Sequence, residues 1–301
     1  MEYIKECLKS FRELYPLPVD PFSDFRTTPA RKIKALIFDI YGTLLISGSG
    51  DVFSDEVNLG EILEVFRRSD IKMTSGNPAK SASEVLSLFT KTVEKSHREA
   101  RAAGVAYPEI DIREIWDEVI SGMSASGALA AGHDYSAEKI SFHYEAVTNP
   151  VYPMPGMLKL IKKLAKKDKV LGVISNAQFY TPVIMNYFMT GKLHDGLGIE
   201  PFRKSLVKYS FLERCSKPEL ALFKSVRETL ADDFGIAPEE TLFIGNDMFK
   251  DIYPAAQAGF KTVLFAGDGR SLRLREDKPE VRGVLPDYAV NDLESIFEII
   301  Q

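Results

Sequence analysis

Three apolar runs of the chain end in residues able to do chemistry. LIFDIYGTLL, residues 36–45, runs into Asp39 and then a Gly-Thr turn. VLGVIS, residues 170–175, ends on Ser175 with Asn176 next, and TLFIG, residues 241–245, opens into GNDMFKD with Asp247 and Asp251. Lys217 stands just before the segment leading into the third run. An acid at the end of a buried run is costly unless it has a task. Each residue has one if the substrate carries a phosphoryl group. Asp39 is a carboxylate nucleophile that forms an acyl phosphate. Asp247 adds a second carboxylate, and two carboxylates, a carbonyl and waters suit Mg²⁺. Ser175 and Lys217 offer a hydroxyl and a charge to the oxygens of the transferring group. Asp251 suits the role of holding either Lys217 or a metal-bound water. Acids this close repel one another without a cation, which argues for a metal. Singly, each has an ordinary explanation: an Asp after a strand is a turn or cap residue, and Asp251 is an acid favoured by a helix N-terminus. Their common placement at strand ends carries the argument.

The elements that must position them follow from periodicity. Residues 1–15 predict an amphipathic helix, with Ile4, Leu8, Phe11 and Leu14 on one face. YPLPVDPFSDFRTTP then predicts an extended connector. Ile33 to Phe38 reads as a buried strand and SGSGD, residues 47–51, as a flexible joint; Gly48 and Gly50 lack the third glycine of a dinucleotide loop. From about residue 52 to 148 the apolar spacing is helical, with Ile62, Phe66, Val85, Phe89, Ile115, Trp116 and Val119 in register. Strands and helices then alternate to the C-terminus, with strands at 170–175, 241–245, 261–265 and 287–290. The pattern predicts an α/β fold, a doubly wound parallel sheet with its ligand crevice at the strand C-termini.

These stretches resemble the haloacid dehalogenase superfamily of hydrolases. FDIYGTL is similar to its first motif, ISN to its second, SKPELALF to its lysine motif and IGNDMFKDIYPAAQAG to its fourth, over residues 33–46 and roughly 153–300. The resemblance implies a core of five or more parallel strands at 33–46 and 149–301. It makes 47–148 a helical cap domain and leaves 1–32 as an N-terminal extension. It implies Asp39, Tyr41, Ser175 and Lys217 as the catalytic positions, with Thr43 and Asn176 joining Ser175 and Lys217 at the substrate. Mg²⁺ would be held by Asp39, the backbone carbonyl of Tyr41 and Asp247, with Asp251 in support. One position departs. The superfamily's phosphatases carry a second Asp two residues after the nucleophile, which protonates the leaving alkoxide; here it is Tyr41. A tyrosine with a pKa of about 10 is a poor general base at neutral pH. Losing such a group costs roughly 10²–10⁴ in rate. The dehalogenases that name the superfamily do have Asp-x-Tyr-Gly-Thr there and need no metal, but they resemble Ser/Asn-rich sequences in the fourth motif. The leading expectation is an Mg²⁺-dependent phosphohydrolase of a small phosphorylated metabolite. The alternatives are a metal-independent 2-haloacid hydrolase and a phosphate-binding relative that has lost turnover.

The rest of the composition narrows the setting. A net charge of −5 gives no positive field to recruit nucleic acid or an anionic membrane. The lysines between 159 and 169 read as one solvated helix face, and Arg67 and Arg68 as surface charges in preference to crevice residues. Cys7 and Cys215 are far apart, and His97, His133, His143 and His194 show no paired spacing, so neither a disulfide framework nor a zinc site is expected. No apolar run approaches the roughly 18 residues of a membrane span, and the amphipathic N-terminus does not resemble a secretory signal; a cytoplasmic location is expected.

Overall fold

In this computed structural model, residues 2–19, 32–50, 57–74, 76–130, 135–194 and 196–300 are described. Part of the proline-rich connector, residues 20–31, and also Asp51 and His133, lie outside the described residues. In chain order, α1 (Glu2–Ser10) is followed by β1 (Ala35–Phe38) and β2 (Leu45–Ser47). Four helices come next: α2 (Leu59–Arg68), α3 (Pro78–Ala102), α4 (Ile112–Ala125) and α5 (Ala137–Thr148). Then follow β3 (Val151–Pro153), α6 (Met157–Lys166), β4 (Val170–Ser175), α7 (Tyr180–Thr190), β5 (Val207–Tyr209), α8 (Ser210–Glu213) and α9 (Leu220–Phe234). β6 (Thr241–Gly245), α10 (Tyr253–Gln257), β7 (Lys261–Phe265), β8 (Tyr288–Val290) and α11 (Ile296–Ile299) complete the chain.

The expected parallel sheet is present, with six strands in the order β5-β4-β1-β6-β7-β8. ALIF of β1 is buried on both faces, as a central parallel strand requires. Phe38 lies beside Val173 of β4 and Ile244 of β6. The chain winds outward from β1 through β4 to β5, then returns to β6 on the other side of β1. That reversal is the topological switch point where doubly wound sheets bind ligands. It brings the C-terminal ends of β1, β4 and β6 together.

Between β2 and β3 the helical insert α2–α5 packs on itself. Trp116 is fully buried, with its ring centroid 5.0 Å from Phe89 and 5.5 Å from Tyr144. Caps set the helix starts: Asn58 and Glu61 form a capping box on α2, and Asn77 and Ser136 cap α3 and α5. The joint into the insert is more ordered than SGSGD suggests. β2 pairs antiparallel with β3, and Gly48 N–H donates to the Pro150 carbonyl at 2.8 Å.

Three elements differ from the sequence expectation. α1 stops at Ser10, residues 11–19 carry no regular secondary structure, and Pro16 and Pro18 bar a helix further on. The N-terminal segment touches several parts of the molecule: Tyr3 of α1 packs edge-on to Phe142 in the insert, Phe11 meets Phe188 of α7, and Leu17 N–H donates to Asp268 Oδ1 at 2.8 Å. α7 is apolar on nearly every face, so it shows no helical stripe to read. α11 spans only four residues, after a turn in which the Asp292 carboxylate accepts from the N–H and hydroxyl of Ser295. Among the described residues no helix is long and apolar enough to cross a membrane.

Candidate active site

β1 ends by donating Asp39 N–H to the Ile244 carbonyl at 2.9 Å, which sets Asp39 at the switch point. Asp39 Oδ1 accepts from Ser175 Oγ at 2.9 Å and from Lys217 Nζ at 2.7 Å. Its Oδ2 makes no hydrogen bond among the described residues. Lys217 Nζ also donates to Asp251 Oδ1 at 2.6 Å, so one buried ammonium bridges two carboxylates. Burial alone would depress the Lys217 pKa, but Asp251 and Asp39 more than reverse it and hold the ammonium charged. Asn176 positions this lysine by accepting from its backbone N–H at 2.8 Å. Asp251 reaches the site through a π-type turn over Met248–Ile252, and its Oδ2 accepts from the N–H groups of Asn246 and Asp247 at 3.1 and 3.0 Å. Burial, with repulsion from Asp39 and Asp247, pushes Asp251 up to about 7 against the pull of Lys217.

Tyr41 and Thr43 both bond to other side chains of the protein. The Tyr41 hydroxyl is 2.9 Å from Thr181 Oγ1 and sits beside Glu145, whose Oε2 accepts from Tyr180 at 2.9 Å. Burial and then Glu145 raise the Tyr41 phenol well above its ordinary range, so it is held neutral. Thr43 Oγ1 donates to Asn246 Oδ1 at 3.2 Å. Gly42 between them adopts φ +80°, and a Cβ there would sit 2.6 Å from the Asn246 amide nitrogen.

Asp247 is placed differently from its expected role. Its Oδ1 accepts from the N–H groups of Phe249 and Lys250, both at 2.9 Å. Its Oδ2 accepts from Arg275 Nε at 2.9 Å and Nη2 at 2.7 Å. A carboxylate has about four acceptor positions, and all four are used. The crowding of acids that argued for a metal is therefore met by protein cations, Lys217 between Asp39 and Asp251 and Arg275 on Asp247. Among the described residues no three of His, Cys, Asp and Glu converge on a metal-like centre. As these side chains stand, the donor set does not fit Mg²⁺.

The crevice also holds residues that sequence reasoning passed over. Asn246, Lys250, Ser271, Arg273 and the joint residue Gly50 line it with Asp39, Tyr41, Asn176 and Lys217. Its volume is about 40 Å³, room for about three waters. Asn246 is visible in the fourth motif, but which neighbour of Asp247 turns inward depends on the π-type turn. Ser271, Arg273 and Arg275 arrive on an irregular segment after β7 that carries no motif. Arg273 donates from Nη1 to the carbonyls of Arg270 and Leu272 and from Nη2 to that of Gly50 at 3.1 Å, tying that segment to the joint. Arg67 and Arg68 lie elsewhere, both paired with Glu64.

The insert approaches this end of the sheet through the loop before α4. Gln178 donates from Nε2 to the Ile110 carbonyl at 2.9 Å and accepts from Ile112 N–H at 3.0 Å. Ser216 N–H donates to the Tyr107 carbonyl at 2.8 Å, and the Tyr107 ring lies 6.3 Å from that of Phe249.

Comparison with known proteins fits this geometry. Residues 33–259 match the family model described as haloacid dehalogenase-like hydrolase. A glyceraldehyde 3-phosphate phosphatase of Pyrococcus furiosus is 29% identical over 124 residues, 38% of this chain and 48% of that protein. One of Methanocaldococcus jannaschii is 26% identical over 152 residues, 50% of this chain and 57% of that protein. The chain spans about half the length of the curated relatives it matches. The 2-haloacid dehalogenase of Pseudomonas syringae pv. Tomato superposes with a TM-score of 0.53 at 16% identity, covering 89% of this chain and 97% of that one, a likeness of fold. A buried Asp39–Ser175–Lys217–Asp251 cluster at the switch point of this sheet, with the family match across three quarters of the sequence, shows that the chain belongs to the haloacid dehalogenase-like hydrolases.

Proposed function

We propose that the protein hydrolyses a small phosphorylated metabolite through a phosphoaspartate at Asp39. The observation that carries this reading is the polarity around that carboxylate. Ser175 and Lys217 contact it, and Lys250 and Arg273 line the same crevice. Nitrogen and hydroxyl donors suit the oxygens of a phosphoryl group. Most of the side chains lining this crevice are charged or amide groups. The phosphatase names of the two curated relatives support the same choice.

In the first step Asp39 Oδ2 attacks phosphorus and the bond to the ester oxygen breaks. The electron pair leaves with that oxygen, which takes its proton from solvent, since burial makes the Tyr41 phenol a weaker acid than usual and its hydroxyl is bonded to Thr181. Lys217 and Ser175 hold the carboxylate and offset charge on the transferring group. Water then attacks the phosphorus of the acyl phosphate, the bond from phosphorus to Asp39 breaks with its electron pair returning to the carboxylate, and the proton lost by the water passes to solvent or to the released phosphate. The resemblance implies Mg²⁺ here; Asp247 has no acceptor position left for it, and these steps use protein groups alone. The helical insert acts as a cap. The crevice has room for only about three waters, so the organic part of a phosphorylated metabolite extends beyond its lining, toward the side on which the insert docks.

Turnover of aryl phosphate, acyl phosphate and 2-chloropropionate, each in Mg²⁺ and in EDTA, tests the reading. Phosphate release that disappears in Asp39→Asn is the expected result. Chloride release from 2-chloropropionate without phosphatase activity overturns it in favour of the dehalogenase chemistry that Asp39-Ile40-Tyr41 also fits.

A further inference from the structure

We infer that Arg275 is a built-in counter-cation that keeps divalent metal off Asp247. The inference concerns cation binding and stands whether or not Asp39 turns over a phosphoester. Asp247 is buried, and the Arg275 guanidinium meets its Oδ2 through two nitrogens while the turn amides of Phe249 and Lys250 take Oδ1. A cation seeking this carboxylate must displace either a paired guanidinium or the turn that shapes the fourth motif. A guanidinium forked onto one carboxylate is the stronger form of ion pair, and it is favoured further where water is scarce.

The pairing is built rather than incidental. Arg273 N–H donates to the Asn246 carbonyl at 3.0 Å, and Met248 N–H donates to the Arg273 carbonyl at 2.9 Å. The segment bearing Arg275 is thus laid alongside the motif like a short extra strand. Arg275 itself adopts φ +53°, a backbone conformation unfavourable for any residue but glycine, and it does so while its side chain is turned onto Asp247. Upstream, Asp268 starts the same segment and is fastened to the N-terminal stretch through Leu17. Charge agrees with this arrangement. Lys217 lies between Asp39 and Asp251 and Arg275 on Asp247, so each of the three acids already faces a protein cation.

Calorimetric titration with Mg²⁺, and Mn²⁺ binding followed by electron paramagnetic resonance, test this without any assay of turnover. Wild type and Asp247→Asn should bind either ion equally weakly, because Asp247 is already occupied. Arg275→Gln, with its fold checked by circular dichroism, should bind about 10- to 100-fold more tightly than wild type, the range commanded by groups adjoining a metal ligand. Arg275→Gln/Asp247→Asn should lose that gain. Wild-type binding that weakens sharply in Asp247→Asn overturns the inference, and that comparison decides the matter even if Arg275→Gln does not fold. A folded Arg275→Gln with wild-type affinity overturns it too.

Discussion

Tyr41 is committed at the residue scale to holding the core against the insert. Its hydroxyl joins Thr181, Glu145 and Tyr180 in one buried network, and Glu145 is fastened through Asn149 to Ser47 at the joint. With no acid in that position, alkyl phosphates should turn over far more slowly than aryl phosphates. The dependence of log kcat on leaving-group pKa measures this, and equal rates on the two classes would mean that another group supplies the proton. Glu145 has a second consequence. Burial pushes it up to about 7, partly offset by the bonds from Tyr180, Asn149 and Tyr41. Unfolded, it ionises near 4.5. Between those values the folded state binds the extra proton, so stability falls as pH rises from about 4.5 to about 7 and levels off above. The loss is on the order of 3 kcal/mol for that span. Thermal melts of wild type and Glu145→Gln across pH 4–8 should diverge in this window, with the variant the more stable at pH 8. Parallel curves would mean that Glu145 ionises normally.

Among the elements, the contact that matters is the one between the loop before α4 and the end of β4. Gln178 satisfies both a carbonyl and an amide of that loop, and it is buried. Gln178→Ala leaves two backbone groups without partners, at a cost of about 1–3 kcal/mol each. That cost falls on the docked loop more than on the sheet. Hydrogen exchange should show faster exchange at the Ile112 amide in this variant and little change in β1 or β6. Uniform acceleration throughout would mean that the insert and the core open as a single unit. Sequence periodicity supplied most of the elements involved. α4, with Ile112, Ile115, Trp116, Val119 and Met123 on one face, was legible because one face is wet. α7 was not, because burial on nearly all sides erases the stripe that marks a helix.

At the scale of the whole molecule, the N-terminal stretch links parts that the chain order keeps apart. Ile4, Cys7 and Leu8 of α1 are buried, and the stretch ends on the segment that carries Ser271, Arg273 and Arg275. Leu8→Ala should cost about 2–5 kcal/mol, as large-to-small changes in a packed core do. Urea unfolding checks the value, and a loss below 1 kcal/mol would show that α1 contributes little to the fold.

The sequence by itself determined the α/β alternation, the ligand crevice at the strand C-termini and the placing of Asp39, Ser175 and Asp251 after strands. These follow from local periodicity and from the cost of putting an acid after a buried strand. Lys217 was found the same way, as a charge leading into a strand whose end was already suspect. Tertiary structure decided what each charge meets. Asp247 and Arg275 are 28 residues apart, and nothing in either segment announces the pair. Tyr41 and Thr181 are 140 residues apart, and nothing in either segment announces that the two hydroxyls meet. A hydrogen bond or ion pair acts over a few ångströms in space, and the neighbours within that reach exist only once the strands are packed.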